Sequence, residues 1–258
     1  MSVVDAPSHV PFTDSRRLTG ANLYFDVPGV VLETAPEVAF DADAEARWRA
    51  RVAQAGAALG WPEVTLAVRR HAHGVNLAIA APVDQLLAAT EVNEWALHAA
   101  LGLRAGPESV DGEDQPQRPH PAHFDDAEAL RLLHASAQAE AAGNRPSCLL
   151  LDAAHAHQVP ARWDDAVLSL GEGAGARQWP LAQLPTPDAV PWTELHGVPK
   201  ALVTGSNGKT TTVRLLSALL AEGGRKVGYS CTDGVVVDGV RTEGGDYSGP
   251  AGARAVLR

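Results

Sequence analysis

Between Ala201 and Gly224 the chain reads ALVTGSNGKTTTVRLLSALLAEGG, and no other stretch restricts the fold as much. Ala201 to Val203 are apolar without alternation, the pattern of a strand covered on both faces. Gly205 and Gly208 bracket Ser206 and Asn207, a composition suited to a tight turn with exposed backbone. Lys209 and Thr210 then open a helix in which Val213, Leu215, Leu216, Leu219 and Leu220 predict a broad buried face. Gly223 and Gly224 end it.

Strand, glycine loop and helix in that order make an anion site. A helix start has amide N–H groups without internal partners and carries the positive end of the helix dipole. Small loop residues let phosphate oxygens approach those donors. The candidate nucleotide-binding residues are therefore Gly205, Ser206, Asn207, Gly208, Lys209, Thr210 and Thr211. Lys209 supplies a mobile positive charge for terminal phosphates, and the Thr210 hydroxyl is placed to bind Mg²⁺. The plain alternative is a strand-to-helix turn with a surface lysine. The spacing also departs from G-x-x-x-x-G-K-[ST], which requires a glycine where Val203 stands.

The form present, T-G-S-N-G-K-T-T from Thr204 to Thr211, resembles the Mur ligase family. Two further segments resemble its cyanophycin-synthetase-like members. Gly228-Tyr229-Ser230-Cys231-Thr232-Asp233-Gly234 is similar to G-Y-T-T-T-D-G, and Gly245 to Pro250 with Ala253-Arg254 is similar to G-D-x-T-G-P-x-x-A-R. A weaker resemblance covers roughly 16–35 and 125–181, where Leu168 to Gly173 followed by Arg177 is similar to L-V-Q-L-G-Y-G…R. The resemblance implies an ATP- and Mg²⁺-dependent ligase, in which ATP phosphorylates an acceptor carboxylate and an amine attacks the acyl phosphate. Lys209 would act on the transferring phosphoryl group. It also implies that an ATP-grasp module present in those proteins is missing here, and that a metal-binding glutamate and a C-terminal domain would lie beyond Arg258. The chain is then a fragment or truncated form that is inactive alone; the other reading is a non-catalytic phosphate-loop remnant that binds a substrate or partner.

Asp246 lies in a glycine-bounded segment, where it is either an acceptor-site residue with a catalytic role or a solvated loop aspartate. The close pairs His71/His73, His120/His123 and His155/His157 lack a metal-protease frame or spaced cysteines, and decorate turns or helix surfaces on this reading.

At 258 residues the chain suits one or two domains. Its net charge of −10 argues against nucleic acid as a partner. Two distant cysteines, Cys148 and Cys231, read as reduced thiols. With no membrane-length apolar run, the expectation is a cytoplasmic protein without a membrane partner. Its partners would be ATP, an amino-acid or peptide-like acceptor and an amine donor, with self-association through an exposed sheet edge.

The expected fold class is α/β: an α+β N-terminal domain over 1–185, a proline-bearing connector over 186–198, and over 199–258 the beginning of a parallel-sheet phosphate-loop domain. Residues 1–15 read as loose, and Arg16 to Phe25 as an anchored leading segment. Val30 to Leu32 reads as a strand, Asp43 to Leu59 as a helix with Trp48, Val52, Ala55 and Leu59 on one face, and Val64–Val68 and Val75–Ala81 as strands around a turn. Pro82 starts a second helix, and 106–122 is an acidic loop. A third helix starts near Asp125 or Asp126. Ser147 to His157 is either a buried strand or a helix, and short strands follow in Val159–Trp163, Ala166–Leu170 and Gln178–Leu181.

Overall fold

The computed structural model describes residues 10–103, 121–164 and 166–258; the expected acidic loop falls almost wholly outside them. The chain divides into two compact units, Met1–Arg145 and Pro146–Arg258.

The first unit is a four-stranded antiparallel sheet carrying helices. Its strands are β1 (Phe12–Leu18), β2 (Gly29–Thr34), β3 (Leu66–His71) and β4 (Gly74–Ala80), in the order β1-β2-β4-β3. Alternate apolar residues of β2 and β4 set the layering. Val30, Leu32, Leu77 and Ile79 join one buried cluster with the helices, whereas Val31 and Ala78 pack with Phe25 in another. The leading segment is thus anchored: Phe25 is buried, and the Asn22 Oδ1 accepts the amides of Tyr24 and Phe25 at 2.9 and 3.0 Å. β1 replaces part of the expected loose N-terminus. Its polar Asp14-Ser15-Arg16-Arg17 run hides the strand from a hydrophobicity reading, and an edge strand tolerates such a run because only one side is paired.

Helix α1 (Ala42–Leu59) is capped by Asp41, whose carboxylate accepts the Ala44 amide at 2.8 Å, and ends at Gly60 in the left-handed conformation, φ 72°. The helix therefore begins one residue ahead of the expected Asp43. The α1 side chains Trp48 and Val52 are fully buried, and the Trp48 indole donates to Asn93 Oδ1 at 2.9 Å. Asn93 belongs to α2 (Leu86–Ala100) and in turn donates to the Leu77 carbonyl at 2.9 Å, so one side chain joins both helices to the sheet. A 3₁₀ turn, Val83–Gln85, precedes α2. No side chain next to it caps α2; instead Glu140 accepts the Leu87 and Ala88 amides, each at 2.8 Å. Glu140 lies on α3 (Asp126–Ala156), where burial raises its pKa above the usual carboxylate value.

α3 absorbs Ser147–Ala156, which decides the open alternative for that segment in favour of helix. In the second unit, β5 (Ala161–Trp163), β6 (Val167–Leu170) and β7 (Arg177–Pro180) form an antiparallel sheet, and Leu168 and Leu170 are buried with Leu150 and Ala154. The expected connector is wound into 3₁₀ turns at Pro187–Ala189 and Trp192–Glu194, and buries Val190 and Leu195 in this same cluster.

Helix α4 (Lys209–Glu222) and the strands β8 (Gly228–Cys231), β9 (Gly234–Val237) and β10 (Val240–Gly244) follow, with a short helix α5 (Pro250–Leu257). The strand order is β10-β9-β8, antiparallel throughout. This corrects the expected parallel sheet. Asp238 and Gly239 both have positive φ, 50° and 80°, the two-residue turn that folds β9 back onto β10. Ala201–Val203 is not a strand: Leu202 is 95% exposed, and no strand pairs with it among the described residues. A backbone run becomes a strand only where a neighbour completes its ladder.

Candidate functional site

Residues 205–208 form an exposed bend that ends at Gly208. Gly205 and Gly208 have φ of 143° and 78°, values that glycine reaches without strain. Gly208 is the N-cap of α4 and has no side chain to cap with, so the first-turn amides are left to an outside acceptor. Lys209 folds back over the loop and donates to the Gly205 carbonyl at 2.6 Å and towards that of Ser206 at 3.4 Å. The Thr210 hydroxyl lies 3.1 Å from the Thr232 hydroxyl. Ser206, Asn207 and Thr211 are exposed beside them. The structure thus brings the loop residues, Lys209 and Thr210 together at one helix start.

Thr232 follows β8 and was not among the residues chosen from spacing; its signal is the Thr232-Asp233-Gly234 sequence itself. Asp233 pairs with Arg214, one turn along α4, at 2.5 Å. Arg214, Tyr229, Cys231, Asp233 and Arg241 line a cavity of about 370 Å³. Cys231 is buried, and its thiol lies 3.8 Å from the Asp233 carboxylate.

Asp246 is hydrogen-bonded within its own segment. Its carboxylate accepts the Ser248 hydroxyl at 2.7 Å and the Ser248 amide at 3.0 Å, and these bonds hold its pKa below the ordinary value. It is exposed, and among the described residues no hydrogen bond joins it to residues 204–211. Its neighbour Tyr247 does donate to the Cys231 carbonyl at 3.0 Å, which ties the segment to the end of β8 beside Thr232.

The histidines are dispersed. The His71 Nδ1 accepts the His73 amide at 3.3 Å, and His157 stacks on Trp192 with ring centroids 4.6 Å apart. His120 lies outside the described residues. Among the described residues, no group of three or more His, Cys, Asp or Glu side chains is placed to hold a metal ion. No helix among the described residues is long and apolar enough to cross a membrane.

No family model matches the chain. Over 61 residues, 24% of the chain, it is 46% identical to the cyanophycin synthetase of Geminocystis herdmanii. Over the same length it is 44% identical to the cyanophycin synthetases of Synechocystis and of Trichormus variabilis. The matched segment spans 7% of each relative's length. These likenesses support a relation to a family of ligases over that part of the chain.

Proposed function

We propose that the chain carries the phosphate-binding side of an ATP-dependent carboxylate–amine ligase site of the Mur type. The observation that carries this reading is the start of α4, which no side chain caps and which carries the Lys209 ammonium over the loop and the paired Thr210 and Thr232 hydroxyls. Bound ATP would supply the activated phosphoryl group, with Mg²⁺ offsetting its charge. The loop from Gly205 to Gly208 would hold phosphate oxygens, together with the Thr211 amide and Lys209. The hydroxyls of Thr210 and Thr232 fit a hard cation, which prefers oxygen ligands. Asp246 would face the acceptor, an amino-acid or peptide-like carboxylate, since Tyr247 holds its segment at the Thr232 end of β8. An acidic chain whose two cysteines form no disulfide suits the cytoplasm.

A second reading, a binding module without turnover, is favoured by one observation: α4 buries none of its residues. Phosphoryl transfer needs fixed geometry, and an uncovered helix fixes little. On this reading the leucine face would also allow self-association.

Calorimetric titration of the chain with ATP tests the proposal. Binding should require Mg²⁺ and weaken by about tenfold or more in Lys209→Ala, the loss expected for one charge-assisted contact to phosphate. Binding that is unchanged in the variant sinks the assignment. ADP release with added amino acids would separate the ligase from the binding module.

A further inference from the structure

The run Leu168 to Gly173 plays no part in the phosphate-loop reading, yet it holds a carboxylate with no exposed surface, that of Glu172. Lys200 Nζ donates to both of its oxygens, at 2.6 and 2.7 Å. The Val198 amide donates at 3.0 Å, and the Arg162 guanidinium of β5 donates as well. The Glu172 amide itself donates to the His196 carbonyl at 2.8 Å. One residue therefore grips the backbone or side chain of 196, 198 and 200, and Lys200 adjoins Ala201, where the loop stretch begins.

The glycines around Glu172 permit this approach. A Cβ on Gly175 would stand 2.5 Å from the His196 ring, and one on Gly197 would stand 3.1 Å from Pro160. Burial by itself would push the Glu172 carboxyl up; Lys200, the Val198 amide and Arg162 outweigh it and hold the pKa down to about 2. The group is thus an anion at every ordinary pH and keeps its grip.

The loop needs such a grip from its flanks, because residues 204–208 are exposed and α4 is uncovered. On the C-terminal side the Thr210–Thr232 contact serves; on the N-terminal side stands Glu172. We propose that Glu172 is a positioning residue for the phosphate loop, fixing through Val198 and Lys200 where the chain enters Ala201–Gly208. Its effect on nucleotide affinity rests on the phosphate-loop reading; the tie itself does not.

Hydrogen exchange and ATP–Mg²⁺ titration on the full chain test it together. Lys200→Met removes the ammonium while leaving Glu172 with Arg162 and the Val198 amide, so the β5–β6–β7 sheet should keep its protection. Exchange of the Val198 amide, which donates to Glu172, should rise about tenfold, the scale of one lost charge-assisted bond. ATP affinity should fall by a similar factor, and Lys200→Arg should restore both. Glu172→Gln should loosen the same segment further. Unchanged exchange of the Val198 amide in Lys200→Met overturns the proposal, as does an equal rise across the β5–β6–β7 sheet, which would mean general destabilisation. Loosening without any change in ATP affinity overturns the positioning role. If the unsubstituted chain does not bind ATP with Mg²⁺, the phosphate-loop reading fails and takes the effect on affinity with it, while exchange still decides whether Glu172 holds the segment.

Discussion

Helices α1 and α4 carry similar apolar spacing and opposite environments. α1 starts on an Asp41 cap, stops at Gly60, and buries Ala44, Trp48, Val52, Ala55 and Gly56. α4 starts on Gly208 with no side-chain cap and buries nothing, with Leu215 and Leu219 60% and 63% exposed. An amphipathic pattern states what a helix is able to bury, and neighbours decide whether it does. The pair also separates two uses of a helix start. At α1 the chain's own carboxylate satisfies the first turn, which makes that end structural; at α4 the amides are left for an acceptor from outside.

The contrast is broken or sharpened by substitutions on each side. The largest effect is expected for Trp48→Ala, which empties a fully buried site and leaves Asn93 Oδ1 without its donor. Urea unfolding should register a loss of about 3–5 kcal/mol; a loss near zero would mean that α1 does not hold the first unit together. Next comes acid. Glu172 has a folded pKa of about 2 against an ordinary 4.5, so its stabilisation is complete above pH 4.5 and disappears as the pH falls towards 2. The loss should be of the order of 2 kcal/mol once the half-exposed Lys200 is discounted for solvent screening. Glu172→Gln should flatten that limb of the stability curve; an unaltered acid limb would remove Glu172 as its source. The smallest effect belongs to Leu219→Ala, within about 0.5 kcal/mol because the side chain is mostly in water. A loss above about 2 kcal/mol would show that the α4 face is covered in solution and would erase the contrast.

How much of this was legible depends on how far apart the causes lie in sequence. Helix α1, the β3–β4 hairpin and the start of α4 are signalled by residues within one or two turns of each other, and all three are present. Asp238-Gly239 between valines is an equally local hairpin signal, and it would have argued against a parallel sheet in that region. The β1 strand was hidden because its stability comes from pairing with β2 rather than from its own apolar content. Proline spacing suggested an extended connector; whether Val190 and Leu195 are buried depends on Leu168 and Leu170, a long-range fact. In the candidate site the loop itself was readable from its glycines and lysine. Thr232 facing Thr210, and Glu172 holding Lys200, join residues far apart in the chain, and no periodicity marks such pairs.

Glu140 has a consequence for the order of events during synthesis. The amides of Leu87 and Ala88 emerge from the ribosome well before the carboxylate that accepts them, and the α3 residues Ala129 and Leu133 of the same core also come later. The first unit therefore lacks this cap and part of its core as its strands and first two helices appear. The α2 start stays open to water until translation has passed residue 140. A nascent chain halted before that point would exchange its Leu87 and Ala88 amides freely, whatever the strands had already built.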